Sequence, residues 1–164
     1  MDDLRSRFIH AMSRAAATVS VVTTDGSAGR AGLTVSAMTS VSADGDAPTM
    51  LICVNSGASA AEPILRNGCF AINVLEACQQ DIADRFAGRT ELPGGDRFAG
   101  IAWDVLETGA PVLRGLAGFD CAVQSADLVG THHVLIGAVR AVRVEEEGTP
   151  LIYGMRSYLR AERA

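Results

Sequence analysis

The sequence predicts a mainly β fold, a closed or split antiparallel barrel carrying a few short helices. Short apolar runs rich in Val, Ile, Leu and Thr recur along most of the chain, set apart by Gly, Asp, Ser or Pro. Segments with helical spacing are few, and they do not alternate with the strands as a doubly wound sheet requires. No repeat, linker or low-complexity stretch divides the chain, so residues 1–164 are expected to form one domain.

Each element follows from local pattern. Between residues 4 and 16, Leu4, Phe8, Ile9 and Met12 fall on one helical face. Ser20 to Thr24 reads as a strand, Asp25-Gly26 opens a turn, and Ala31 to Ser36 returns as the second arm of a hairpin. The hydroxyl-rich run from Thr34 to Ser42 reads as strand, and Thr49 to Val54 as a buried strand. A short helix is expected over Ala58 to Arg66, with Pro63 distorting its later part. Cys69 to Leu75 is a strand and Gln79 to Phe86 a helix, followed by a polar, Gly-rich surface loop from Ala87 to Arg97. Ile101 to Leu106, Phe119 to Leu128, His132 to Val144 and Leu151 to Tyr153 complete the strands.

Composition excludes several chemistries. The net charge of −5 argues against a nucleic-acid partner, which usually meets a basic face. Every basic residue is Arg; without any Lys there is no Schiff base and no Walker-type phosphate loop. Cys53, Cys69, Cys78 and Cys121 are widely spaced, and most sit in apolar runs, where free cysteine is buried filler. No apolar run approaches the roughly 20 residues that span a bilayer. The acidic start Met1-Asp2-Asp3 is unlike a secretory signal, so a cytoplasmic, membrane-free location is expected.

Two segments point to a ligand. Gly32 to Ser42 is strand-like, small and hydroxylated, with no charged side chain, which suits a flat, polar-edged ring. After one apolar strand comes Asn55-Ser56-Gly57-Ala58-Ser59, where hydroxyls and the free amides of a helix start could hold an anion without lysine. Ring cradle and anion pocket one strand apart suggest a flavin mono- or dinucleotide. Gly26-x-x-Gly29-x-x-Gly32 does not match a dinucleotide fingerprint, because it joins two strands. Asn73, inside an apolar strand, must satisfy its amide on backbone or on a ligand edge. His132 and His133 are adjacent in a strand and point to opposite faces, so they do not chelate one metal, and no metal site is expected. At least one of the two imidazoles should face a protected side, as a structural group or as a pocket wall.

Taken in order, these segments resemble the flavin reductase-like family, the short-chain reductase components of two-component monooxygenases. The likeness runs from about Phe8 to Tyr158. It is carried by Val19-Ser20-Val21-Val22-Thr23-Thr24, Gly32-Leu33-Thr34-Val35-Ser36-Ala37, Cys53-Val54-Asn55-Ser56, Phe70-Ala71-Ile72-Asn73-Val74-Leu75 and Arg85-Phe86-Ala87-Gly88. Asp96-Arg97-Phe98, Thr108-Gly109-Ala110-Pro111-Val112-Leu113, Gly130-Thr131-His132 and Leu151-Ile152-Tyr153 extend it. Thr18 stands where the family usually has Gly, and residues 42–48 replace a tighter turn.

The resemblance implies a split β-barrel of FMN-binding, Greek-key type, dimeric, with flavin near the subunit interface. It implies hydride transfer from NADH or NADPH to FMN or FAD, with reduced flavin supplied to a partner flavin-dependent monooxygenase. By position, Leu33, Thr34, Val35, Ser36 and Ala37 would meet the ring edge, and Asn55, Ser56 and Ser59 the ribityl and phosphate groups. Asn73 and Arg85 match positions near the same ligand; His132 corresponds to the histidine beside the nicotinamide, and Tyr158 would close that side. Such chemistry asks the protein to stack two rings and stabilise charge, and it needs no nucleophile. Two other readings stay open: reduction of a cobalt corrin through flavin, and a non-catalytic flavin-binding module.

Overall fold

A computed structural model describes residues 3–162. Helix α1 (Leu4–Met12) starts where Asp3 caps it, its carboxylate accepting the Ser6 N–H at 2.7 Å. The helix ends at Met12, short of the residue 16 suggested by pattern, and its apolar face is largely exposed: Leu4 is 82% exposed and Phe8 62%.

Twelve strands follow. β1 (Ala17–Thr18), β2 (Ser20–Thr24), β3 (Ala31–Val35), β4 (Met38–Ser42) and β5 (Thr49–Asn55) precede helix α2 (Ala61–Asn67). β6 (Cys69–Val74), helix α3 (Gln80–Phe86), β7 (Trp103–Val105) and β8 (Pro111–Leu113) come next. The long hairpin of β9 (Ala117–Val129) and β10 (His132–Val144) and the short one of β11 (Leu151–Gly154) and β12 (Ser157–Arg160) finish the chain.

Seven strands form one antiparallel sheet in the order β3-β2-β6-β9-β10-β5-β4. Its edge strands, β3 and β4, are consecutive in sequence and joined only by Ser36 and Ala37. So short a joint requires the sheet to curl until its two edges meet, the split antiparallel barrel that the sequence predicts. Two smaller sheets, β1-β11-β12 and β7-β8, lie outside it.

The central strands explain the apolar runs. Every residue of β2 and β6 is buried. Val22, Phe70 and Ile72 face the main core with Ile52, Ile64 and Leu135, while Val21 packs on the other side with Leu75, Phe86 and Leu113. Covered on both faces, these strands lose the alternation of a half-exposed strand. Gly137 sits where β9–β10 pairing shifts register; a Cβ there would overlap Phe70 and Cys121, so the core admits only glycine. Burial, reinforced by the neighbouring Asp120 charge, pushes the Cys121 thiol up to about 12, which keeps it protonated and inert.

Several expectations need correction. The run from Thr34 to Ser42 is two strands, because the chain bends at Ser36-Ala37 to cross from one sheet edge to the other. Pro63 does not distort α2. The helix begins at Ala61, which puts Pro63 in the first turn, where its missing N–H costs no helical bond. Gly68 ends that helix in left-handed backbone at φ 70°. Pro111–Leu113 and Ser157–Arg160 are strands that local pattern did not reveal. The turn joining β11 to β12 is also unexpected, with Met155 and Arg156 both left-handed at φ 52° and 61°.

Asp120 is fully buried on β9 and fastens the loop that leads into β8. Its carboxylate accepts the N–H groups of Glu107 at 2.7 Å and Thr108 at 2.9 Å, and the Thr108 hydroxyl. Asp120→Asn turns one acceptor into a donor facing N–H groups. Chemical denaturation should show a loss of about 2–3 kcal/mol, the worth of hydrogen bonds to a buried charge.

Candidate functional site

The site is built where the two sheet edges meet. β3 pairs only with β2, so one of its edges is open. The Gly32 carbonyl on that edge accepts from Arg97 Nη1 at 3.2 Å. In a strand a residue's N–H and C=O point the same way and alternate, so Thr34 also presents its amide to the open edge. Leu33 and Val35 pack into the main core instead. The Thr34 hydroxyl donates to the Ala83 carbonyl of α3 at 2.6 Å, which ties the helix to the strand and leaves the oxygen only an acceptor's role. Ser36 is exposed, and the Ala37 carbonyl accepts from Cys53 N at 3.1 Å, which seats the joint against β5.

Opposite that joint, the end of β5 turns sharply. Asn55 Oδ1 accepts the Gly57 N–H at 2.8 Å, a side-chain turn that shapes residues 55–59. Ser56 is held by the Thr131 carbonyl, which accepts both its N–H at 2.9 Å and its hydroxyl at 3.1 Å. Register places His132 directly across from Asn55. His132 is exposed there, while His133, of core-facing parity, is half-buried. Asn55, Ser56 and His132 therefore share one rim, close to Ala37.

Ser59 lines a separate cleft of about 500 Å³ with Arg30, Gly32, Asp96 and Arg97. Neither arginine stood out in the sequence as a ligand-facing residue, although Arg97 belongs to the Asp96-Arg97-Phe98 motif. Both are held in place. Arg97 Nη1 also donates to Phe86 O at 3.3 Å, and the Arg30 guanidinium lies 4.9 Å from the Phe98 ring centroid and 4.8 Å from that of Trp103.

Tyr158 faces a third, smaller cavity of about 180 Å³, shared with Thr34, Val35, Ser36, Arg89 and Tyr153. Its hydroxyl donates to Asp84 Oδ1 at 2.7 Å, Arg89 pairs with the same oxygen at 3.2 Å, and the two tyrosine rings meet edge to face at 5.5 Å. Asp84 and Arg89 had no pattern of their own to mark them, and Tyr153 stood out only within Leu151-Ile152-Tyr153.

Two expected ligand residues are elsewhere. Asn73 is fully buried and spends its amide on protein: it donates to Val21 O at 2.9 Å and Thr23 Oγ1 at 3.1 Å, and accepts from Leu113 N at 2.8 Å. It joins β6, β2 and β8, and both of its amide N–H groups are spent on them. Arg85 turns away to the Ala99 carbonyl at 2.6 Å, where it fastens the 87–97 loop. Among the described residues no three His, Cys, Asp or Glu gather as a metal site would require.

The fold agrees with the comparisons. The flavin reductase like domain model matches residues 12–162. The chain belongs to the flavin reductase-like family. It is 47% identical over 154 residues to the FMN reductase (NADH) RutF 2 of Methylorubrum extorquens strain PA1, covering 93% of this chain and 87% of that protein. The flavin reductase component BorF of a bacterial two-component tryptophan halogenase superposes with a TM-score of 0.82 at 31% identity, over 97% of this chain and 99% of that one. A homolog of nitrilotriacetate monooxygenase component B from Mycobacterium thermoresistibile gives 0.86 at 27%, over 96% and 87%.

Burial, and then the Asp84 carboxylate, push the Tyr158 phenol up to about 12. A phenol whose folded value lies above its unfolded value of about 10 adds stability below pH 10 and loses it between about 10 and 12. Absorbance titration of the chain's 2 tyrosines should show a late phase near pH 12 that Tyr158→Phe removes.

Proposed function

We propose that this chain is an NADH-dependent flavin reductase that passes hydride from NADH to FMN and hands the reduced flavin to a partner oxygenase. The observation that carries the reading is the uncharged joint at Ser36–Ala37, seated against β5 beside the shaped turn at Asn55–Ser59. A flavin has a ring edge of alternating donors and acceptors and an anionic tail, and these two features complement them in that order. The relative named above acts with FMN and NADH, which favours that pair over NADPH. The halogenase component serves a two-component system, which supports a partner oxygenase here.

The chain's own groups have three tasks. Main-chain groups of Thr34 to Ala37 orient the ring, and fixed amides beside it stabilise the charge that accompanies reduction without reorganising. Ser59 takes the tail, on a turn that Asn55 shapes and that Ser56 fastens by giving its N–H and its hydroxyl to the Thr131 carbonyl. His132, exposed on the rim, positions the nicotinamide, and the neutral Tyr158 ring, its hydroxyl given to Asp84, closes that side. A bound flavin supplies the hydride acceptor, so no general base, nucleophile or metal is asked of the protein.

A second copy of the chain is expected to complete the site. Leu128 and Val129 at the tip of the β9–β10 hairpin are 62% and 64% exposed, and the unpacked α1 face ends at Met12, which lines a cavity with Ser36 and Ala37. Apolar surface placed beside ligand-facing residues marks an interface. The dimer is proposed to work in the cytoplasm; among the described residues no helix is long and apolar enough to cross a membrane.

Purified protein should oxidise NADH at a rate that rises with added FMN. No turnover with any flavin would remove the reading. Asn55→Ala, which releases the 55–59 turn, should weaken FMN binding about tenfold, near 1.4 kcal/mol, in a fluorescence titration. Light scattering should give twice the 17.1 kDa chain mass, and Leu128→Asp with Val129→Asp should shift it to monomer.

A further inference from the structure

Two neighbouring residues of helix α3, Ala83 and Asp84, hold opposite sides of the smallest of the three cavities. The Ala83 carbonyl takes the Thr34 hydroxyl at 2.6 Å, on the strand that carries the open sheet edge. The Asp84 carboxylate takes the Tyr158 hydroxyl of β12 at 2.7 Å and pairs with Arg89 at 3.2 Å. Arg89 is fastened to Asp84 a second time, its N–H reaching the Asp84 carbonyl at 2.9 Å, and its guanidinium lies 5.8 Å from the Tyr153 ring centroid. Thr34, Arg89, Tyr153 and Tyr158 all line this cavity of about 180 Å³, whereas Asp84 stands behind them.

Strand β12 needs such a fixture. It is four residues long and forms one edge of the β1-β11-β12 sheet, so it is paired on one side only. Among the described residues, the Tyr158 hydroxyl makes the one side-chain hydrogen bond from β12 to an element outside its own hairpin. A hydrogen bond to a carboxylate is roughly twice as strong as one between neutral groups. We propose, resting on the flavin reading above, that Asp84 is a positioning residue for hydride transfer. It sets the tyrosine wall against the ring-edge strand, and so the room left for the nicotinamide beside the flavin. Hydride passes when donor and acceptor atoms come within about 3–3.5 Å, so a wall that drifts by about an ångström slows the transfer. The flavin itself meets the Ser36–Ala37 joint and the 55–59 turn, neither of which Asp84 touches, so its affinity is set elsewhere.

The test compares Asp84→Ala, Asp84→Asn, Tyr158→Phe and the double variant of Asp84→Ala with Tyr158→Phe against wild type, all in the full chain. With oxygen excluded and NADH saturating, bleaching of bound FMN should slow about tenfold in Asp84→Ala, while the FMN dissociation constant changes less than about threefold. Asp84→Asn keeps an oxygen for the Tyr158 hydroxyl and gives up the charge facing Arg89, so it should slow about threefold. The double variant should be no slower than Asp84→Ala, because the carboxylate acts through the phenol and the two losses are not additive. A second readout needs no flavin. Burial, Asp84 and Tyr153 raise the Tyr158 phenol and Arg89 lowers it, so Asp84→Ala should move the late tyrosine phase down from about 12. Bleaching at the wild-type rate, losses that multiply in the double variant, an FMN affinity that falls as far as the rate, or a late phase that stays put would overturn the positioning role and leave the flavin reading intact. If Asp84→Ala melts well below wild type, Asp84→Asn decides on the same criteria. Wild type that never bleaches flavin would remove both.

Discussion

The arrangement of the whole molecule depends on one short connection. Ser36 and Ala37 must join strands that lie at opposite edges of a seven-stranded sheet, and only a strongly curled sheet permits it. Curling brings the open edge of β3 beside the end of β5, and the register of β10 on β5 then sets His132 across from Asn55. Residues more than 20 apart along the chain become one rim through this constraint. Had the joint been a long loop, β3 could have left its edge unguarded, and an unguarded strand edge pairs with whatever strand it meets.

Buried polar groups make the rim rigid. Asn73 ties three strands, Asp120 fastens the approach to β8, and Thr24 donates to the Cys69 carbonyl at 2.7 Å. Each sits at 0% exposure, where an unmet hydrogen bond is costly, so each has a single satisfactory arrangement. They fix the strands relative to one another, and the strands in turn fix the main-chain groups along the open edge of β3. Backbone has no rotamers to wait for, and a barrel held by such ties presents that edge ready-made.

Much of this was legible in the sequence for definite reasons. The fully buried strands β2 and β6 read clearly because both their faces are covered, and the small, uncharged stretch at Gly32 to Ser42 read as strand, which it is on both sides of the Ser36–Ala37 joint. What escaped was non-local. Asn73 has the same appearance whether its amide meets a ligand or Leu113, and only the fold tells which. Arg30 looks like any exposed arginine between glycines until Phe98 and Trp103, some 70 residues on, come up beneath it. Strands β8 and β12 are too short for a period to show. Pro63 misled because a proline's effect depends on its place in the helix, and the start of α2 lacked a side-chain cap to announce it.

The tight turn at Met155 and Arg156 has its own implication. Left-handed backbone costs a residue with a side chain about 1 kcal/mol or more, and both central positions of this turn carry that penalty. It persists because the Met155 N–H reaches back to the Ser13 carbonyl at 2.6 Å, clasping the end of α1 to the last hairpin. Glycine in place of Arg156 would relax the bend and keep the clasp. The cost is thus one of residue choice and not of architecture, and it falls on a turn whose Arg156 lines one cavity with Ser36 and Ala37, so that the last hairpin and the joint between the sheet edges share a wall.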